Sequence, residues 1–85
     1  MRERRWAAEA WADYLHWKQA DPRLVARIDQ LLASIDKAPA DGLGKPKPLR
    51  GELSGWWSRR ITLEHRLVYR VDAATIYVLQ CRYHY

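Results

Sequence analysis

Asp21-Pro22 is followed by a stripe of apolar residues at helical spacing: Leu24, Val25, Ile28, Leu31, Leu32 and Ile35. Residues three and four apart share one face of an α-helix, so the stripe predicts a helix from Pro22 through Lys37 with one apolar and one solvated side. Asp21 suits the cap of that helix, and Pro22 its first turn, where no amide hydrogen is needed. Arg27 and the acids fit the solvated face. Such a helix must lay its apolar side on a second layer. A chain of 85 residues has room for one core, so residues 1–85 are expected to form a single domain.

The flanking sequence suggests what that layer is. Ala7, Trp11, Tyr14 and Leu15 keep helical spacing over residues 7–19, with Asp13, His16 and Gln19 turned to water. After Lys37 the texture changes. Ala38 to Gly55 holds three prolines and four glycines, which predicts a loop. Long loops in small domains often carry function. Beyond it, Trp56–Thr62, Arg66–Val71 and Thr75–Tyr85 read as strands of an antiparallel meander, joined by short turns at Leu63–His65 and Asp72–Ala74. Arg2–Trp6 fits an additional edge strand, its charges discouraging edge-to-edge pairing. The fold expected is α+β: two N-terminal helices packed on one face of a small antiparallel β-sheet. Alternation puts Arg66, Val68 and Arg70 on one side of their strand and Leu67, Tyr69 and Val71 on the helix side. With five tryptophans, five tyrosines and no phenylalanine, the core is expected to draw on Trp6, Trp11, Tyr14, Trp17 and Tyr69.

Charge narrows the function. Residues 1–44 carry seven cations and seven acids, whereas residues 45–85 carry eight cations and three acids, so the whole excess of +5 lies in the second part. A one-sided basic surface suits a polyanion such as RNA or DNA, or an acidic protein partner. No apolar run approaches the roughly 18 residues of a membrane span. The single cysteine, Cys81, can form no internal disulfide, and the N-terminus is not signal-like, so a cytoplasmic protein is expected. His16, His65 and His84 lack metal-ligand spacing, and no metal or other cofactor is expected. Gly42 and Gly44 form only a GxG, with no strand before it and no helix after it.

The basic residues form a set. The loop offers Lys45, Lys47 and Arg50; the strands offer Arg59 or Arg60, Arg66 and Arg82; the terminus offers His84 between Tyr83 and Tyr85. Arginines bind phosphate, aromatics stack on unpaired bases, and a histidine among phosphate-binding arginines can donate a proton. Together they suit RNA cleavage without metal, the ribose 2′-hydroxyl attacking its own phosphate while cations stabilise the transition state. Arg82 as a surface strand residue, His65 as a structural turn residue and the terminus as a frayed tail are the simpler readings.

GKPKPLRGELSGWWSRRITLEHRLVYRV, with CRYHY at the terminus, resembles the YoeB-type toxins of the RelE/ParE superfamily. WAAEAWADYLHWKQADPRLVARIDQLL resembles their helical half, so the likeness covers nearly the whole chain. The resemblance implies a ribosome-dependent mRNA endonuclease acting in the ribosomal A site, neutralised by an acidic YefM-like antitoxin and usually homodimeric. It implies that Arg66 is the phosphate and transition-state arginine, His84 the general acid and Tyr85 the terminal tyrosine shaping the pocket. Arg60 and Arg50 resemble supporting positions that meet RNA or ribosome. Lys45, Arg82 and Tyr83 complete the expected RNA contacts.

One position departs from the family pattern. Lys47 stands between Pro46 and Pro48, where the family normally has a glutamate, its proposed general base. An ordinary lysine, with a pKa of about 10.4, is already protonated at neutral pH and cannot take the 2′-hydroxyl proton. Three readings stay open. Neighbouring cations favour loss of its proton and Lys47 serves as base; or it stays charged and stabilises phosphate; or the change attenuates the enzyme. Glu64 and Glu52 are substitute bases in principle. The other class of function is a module that binds RNA, the ribosome or an antitoxin but cleaves poorly.

Overall fold

The computed structural model describes residues 1–84 and places two helices against a five-stranded sheet. Tyr85 lies outside the described residues. The elements are β1 (Glu3–Trp6), α1 (Ala8–Ala20), α2 (Pro22–Lys37), β2 (Lys47–Pro48), β3 (Trp57–Arg60), β4 (Arg66–Val71) and β5 (Thr75–Gln80), with a 3-10 turn at Gly51–Leu53. The sheet order is β1-β5-β4-β3-β2. Strands β3 to β5 form the expected antiparallel meander, and β2 adds to it antiparallel to β3. The edge strand β1 runs parallel to β5, which makes the sheet mixed. The chain enters at that edge and returns beside it only after crossing the helical layer, so the two strands run in the same direction.

The α2 helix follows its stripe: Ile28, Leu31, Leu32 and Ile35 are buried, and the Asp21 carboxylate accepts from the Arg23 amide at 3.2 Å to cap the first turn. The core also takes Ala10, Trp17, Leu67, Tyr69, Ile76, Val78 and Cys81. Here α1 departs from expectation. Its inward residues are Ala10 and Trp17, while Trp11 and Leu15 stay 43% and 42% exposed. A small residue at position 10 lets the helix approach β5 closely, with the Cys81 thiol 3.3 Å from the Ala10 carbonyl. Trp11 is thereby left on the flank, stacked on Tyr14 (ring centroids 5.5 Å) and edge-on to Trp6 (5.4 Å). Trp6 and Tyr14 are half-buried.

Three further differences bear on function. The 38–55 segment contains β2, two residues long, paired with β3. Strand β5 ends at Gln80 instead of continuing to the terminus. Val68, on the face away from the helices, is as fully buried as Leu67 and Tyr69, and a register shift follows it. Among the described residues, no helix is long and apolar enough to cross a membrane.

Of the two candidate arginines on β3, the one that leaves the cationic set is Arg59. It points into the protein, with 0% of its surface exposed. Its Nε donates to the Tyr69 hydroxyl (3.0 Å); Nη1 donates to Ser34 Oγ (2.8 Å) and the Leu43 carbonyl (3.0 Å); Nη2 donates to the carbonyls of Ala38 and Asp41 (2.7 Å each). All five guanidinium N–H groups are therefore satisfied. Residues 38–44 wrap around this one side chain. Gly42 and Gly44 permit the wrap: both have positive φ (106° and 82°), and a Cβ on Gly44 would stand 2.8 Å from Leu31 Cδ2.

Arg59→Met keeps the apolar stem but orphans the carbonyls of Ala38, Asp41 and Leu43. It is expected to cost about 3–5 kcal/mol in chemical denaturation. Amide exchange of residues 38–44 should accelerate before that of the helices.

Candidate functional site

Strand alternation decides which basic side chains meet. On β3, Arg59 turns to the core, so its neighbour Arg60 turns to the opposite face together with Ser58. Register does the rest. Lys47 pairs with Ser58 across β2–β3, Ser58 with Val68 across β3–β4, and Arg60 with Arg66 at the far end of the same two strands. Directly opposed residues share a face, so Lys47, Ser58, Arg60 and Arg66 line one surface. Lys45 joins them from the loop, at φ 54°, beyond a Gly44 whose carbonyl accepts from the Arg60 amide at 2.6 Å. A left-handed lysine is uncommon, and the loop anchored on Arg59 and Arg60 is what holds it there.

These residues enclose a cavity of about 420 Å³ lined by Gly44, Lys45, Lys47, Ser58, Arg60, Arg66 and His84. Among the described residues no carboxylate lines it. Arg60 and Arg66 are like charges directly across a ladder, which destabilises the free sheet. The Arg66 guanidinium is aimed by its Nη1, which donates to the carbonyls of Thr62 (2.7 Å) and Leu63 (3.2 Å). Its Nε and Nη2 make no hydrogen bond among the described residues. That edge can grip an oxyanion with two parallel bonds. His84 reaches the same cavity from the C-terminal tail, its Nε2 3.3 Å from the Leu63 carbonyl.

The remaining candidates stand beside this cavity. Arg50 lines an adjoining one of about 540 Å³ with Lys47, Pro48 and Leu49. Arg82 and Tyr83 border a third, on the α1 side, with Glu9, Asp13, Gln80 and His84. The Arg82 guanidinium lies 4.7 Å from the Tyr83 ring centroid and 5.6 Å from that of Trp17. Burial raises the Asp13 carboxyl above the usual range, the Arg82 charge acting in the opposite direction. Lys47 and His84 each line two neighbouring cavities, which links the three from Arg50 to Tyr83, with Glu9 and Asp13 adding acidic groups to the last. Ser58 is the one lining side chain that sequence reasoning passed over. Its signal was its place two residues before Arg60.

The tail is tied down rather than frayed. Trp17 Nε1 donates to the buried Cys81 carbonyl at 2.9 Å, Gln80 Nε2 to the Arg82 carbonyl at 3.1 Å, and the Arg66 amide to the Tyr83 carbonyl at 3.0 Å. His65 Nδ1 accepts from the Tyr83 amide at 2.8 Å. Among the described residues, no group of three or more His, Cys, Asp and Glu side chains could hold a metal ion.

A family model described as a YoeB-like toxin of bacterial type II toxin-antitoxin system matches residues 6–85. Toxin YoeB of Escherichia coli (strain K12) is 50% identical over 80 residues, covering 94% of this chain and 95% of that protein. The structure of the YoeB dimer from Staphylococcus aureus matches with a TM-score of 0.94 at 44% identity, covering 99% of this chain and 98% of that one. The YoeB-YefM complex from the same organism matches with a TM-score of 0.92 at 42% identity, covering 100% and 99%.

The buried Cys81 and the half-buried Tyr14 set an alkaline limit on the packing of α1. Burial pushes the Cys81 thiol from an ordinary 9.0 up to about 12. Burial and the hydrogen bond to Asp29 push the Tyr14 hydroxyl from 10.0 to about 12. Both are raised on folding, so the unfolded chain ionises first. Their stabilisation is complete below pH 9 and is lost as the pH rises toward 12. The thermal midpoint should fall across that window, and Cys81→Ala should flatten the early part of the fall. In the folded protein Cys81 should resist alkylation at neutral pH and react once denatured.

Proposed function

The chain belongs to the YoeB-like toxin family of bacterial type II toxin–antitoxin systems, and we propose that it acts as a ribosome-dependent endoribonuclease that cuts messenger RNA in the ribosomal A site. The observation that carries this reading is the cavity in which Lys45, Lys47, Arg60, Arg66 and His84 converge without a carboxylate among the described residues. Such a lining suits a phosphodiester, and it offers both the cations and the proton donor that its cleavage needs.

The reaction assigns each group a task. The ribose 2′-oxygen attacks the adjacent phosphorus, and the Arg66 guanidinium, backed by Arg60 and Lys45, stabilises the charge gathering on the phosphoryl oxygens. His84 gives its proton to the departing 5′-oxygen. The products are a 2′,3′-cyclic phosphate and a free 5′-hydroxyl. The nucleophile comes from the substrate, so the scheme requires no metal and no protein nucleophile. Tyr85, to which the family resemblance gives a part in the site, lies outside the described residues. Arg50 on one flank and Arg82 with Tyr83 on the other extend the contact along RNA or ribosomal RNA.

Lys47 is exposed and pairs with Ser58 on the cavity wall. Beside Lys45, Arg60 and Arg66 its direct contribution is electrostatic, on the phosphate, and the 2′-hydroxyl proton passes to water, a poorer base than a carboxylate. The scaffold is thus an enzyme of reduced rate. A missing general base typically costs about 10²–10⁴-fold. The second reading, a binding module that cleaves poorly, rests on this same lysine. Either way the basic surface suits the acidic, partly disordered segment of a YefM-like antitoxin, which folds on binding and displaces RNA. Pairing with a second copy and a cytoplasmic location follow from the same reading.

Ribosomes programmed with a message in the A site separate these readings. This chain should cut, Lys47→Glu should cut faster, and His84→Ala and Arg66→Ala should each lose about 10²-fold or more in kcat. Silence from this chain beside cleavage by Lys47→Glu establishes the binding module. Equal cleavage by His84→Ala removes His84 from the role of acid.

A further inference from the structure

We propose that His65 is a positioning residue: by accepting the Tyr83 amide hydrogen on Nδ1, it clamps the C-terminal tail and so sets where the His84 imidazole stands over the cationic cavity. The inference rests on the reading of His84 as the proton donor.

Strand β5 stops at Gln80, and the next three residues carry the chain away from the sheet before His84 enters the cavity. Tyr83 is the pivot. Its φ is 62°, a left-handed conformation that residues other than glycine keep only when something holds them there. Both of its backbone polar groups are held. The N–H goes to His65 Nδ1 at 2.8 Å, and the carbonyl accepts the Arg66 N–H at 3.0 Å. Consecutive residues, His65 and Arg66, thus hold the two peptide units that flank Tyr83, the second of which leads into His84.

The partner has to be an acceptor, because a backbone amide can only donate. A neutral imidazole with its proton on Nε2 meets that need. The ring is itself fixed, edge-on to Trp17 with centroids 4.8 Å apart and against Tyr83 at 5.9 Å. Trp17 is anchored in turn through its Nε1 on the Cys81 carbonyl. The 61–65 turn completes the unit. The Leu63 carbonyl receives Arg66 Nη1 and lies 3.3 Å from His84 Nε2. The arginine that grips phosphate and the histidine that protonates the leaving oxygen are therefore referred to one turn, and His65 is the side chain that closes the tail onto it. Proton transfer tolerates little misplacement, so loosening this clamp should appear in kcat.

Two variants distinguish positioning from bulk. His65→Asn places an amide oxygen near the position of Nδ1 and can still accept; His65→Leu fills the space and cannot. On programmed ribosomes His65→Leu should lower kcat by about 10- to 100-fold with little change in KM, and His65→Asn should recover most of the loss. Placed on His84→Ala, His65→Leu should cost almost nothing further, since its effect passes through His84. In the isolated protein, NMR should show His65 as the Nε2–H tautomer, and the Tyr83 amide should exchange slowly in this chain and in His65→Asn, and at least about tenfold faster in His65→Leu. Thermal melts confirm that each variant is folded. Asparagine no better than leucine in kcat, a full additional loss on His84→Ala, or an unprotected Tyr83 amide in the unaltered chain would each overturn the proposal. Protection by the clamp without any RNA cleavage would refute the endonuclease reading and leave the tail clamp standing.

Discussion

A single buried guanidinium organises the molecule. Arg59 carries a full charge into a site with no exposed surface, where an unsatisfied ion would be costly. Carbonyl dipoles and two hydroxyls surround it. They come from α2 (Ser34), from the segment after it (Ala38, Asp41 and Leu43) and from β4 (Tyr69). Tyr69 relays the tie, accepting from Arg59 and donating to the Pro39 carbonyl at 2.7 Å. A loop rich in proline and glycine has little apolar surface to hold it. Here polar bonds to one side chain do so, and the same loop then delivers Lys45 and Lys47 to the cavity.

Arg59 and Arg60 are neighbours in sequence with opposite duties. Strand geometry sends one inward to fix the loop and the other outward to meet Arg66. The outward group gathers like charges that repel one another in the free protein. A bound polyanion relieves that repulsion, so stability and binding are linked through the same residues. The architecture thus keeps one fully hydrogen-bonded cation in the core and gathers others around the cavity.

The parts read most directly from the chain were those with a repeating local pattern. The α2 stripe, the Asp21-Pro22 start, the Arg2–Trp6 edge strand and the β3–β5 meander all follow from spacing alone. Helix α1 was harder, because Trp11, Tyr14 and Leu15 mark one face and Ala10 with Trp17, seven residues apart, marks another. The close approach to β5 favours the alanine, which leaves Trp11 and Leu15 outside. For the site, Lys45, Lys47, Arg60, Arg66 and His84 were all visible as basic or proton-donating residues, and they converge. Arg50, Arg82 and Tyr83 flank that convergence. His65 was visible as a turn residue, but its partner eighteen positions away was not.

Residue spacing determined the elements, the one-sided charge and the chemical types available, because periodicity and composition are local properties of a chain. It could not determine that β1 runs parallel to β5, that Arg59 rather than Arg60 is buried, or that the tail turns at Tyr83 to bring His84 back to Arg66. Each of those depends on hydrogen bonds between residues distant in sequence, and those partners exist only once the sheet has its register. Lys47 shows the division at one position. Its charge and its flanking prolines are plain in the sequence, whereas its place opposite Ser58 on the wall of a cavity shared with Arg60, Arg66 and His84 belongs to the folded protein.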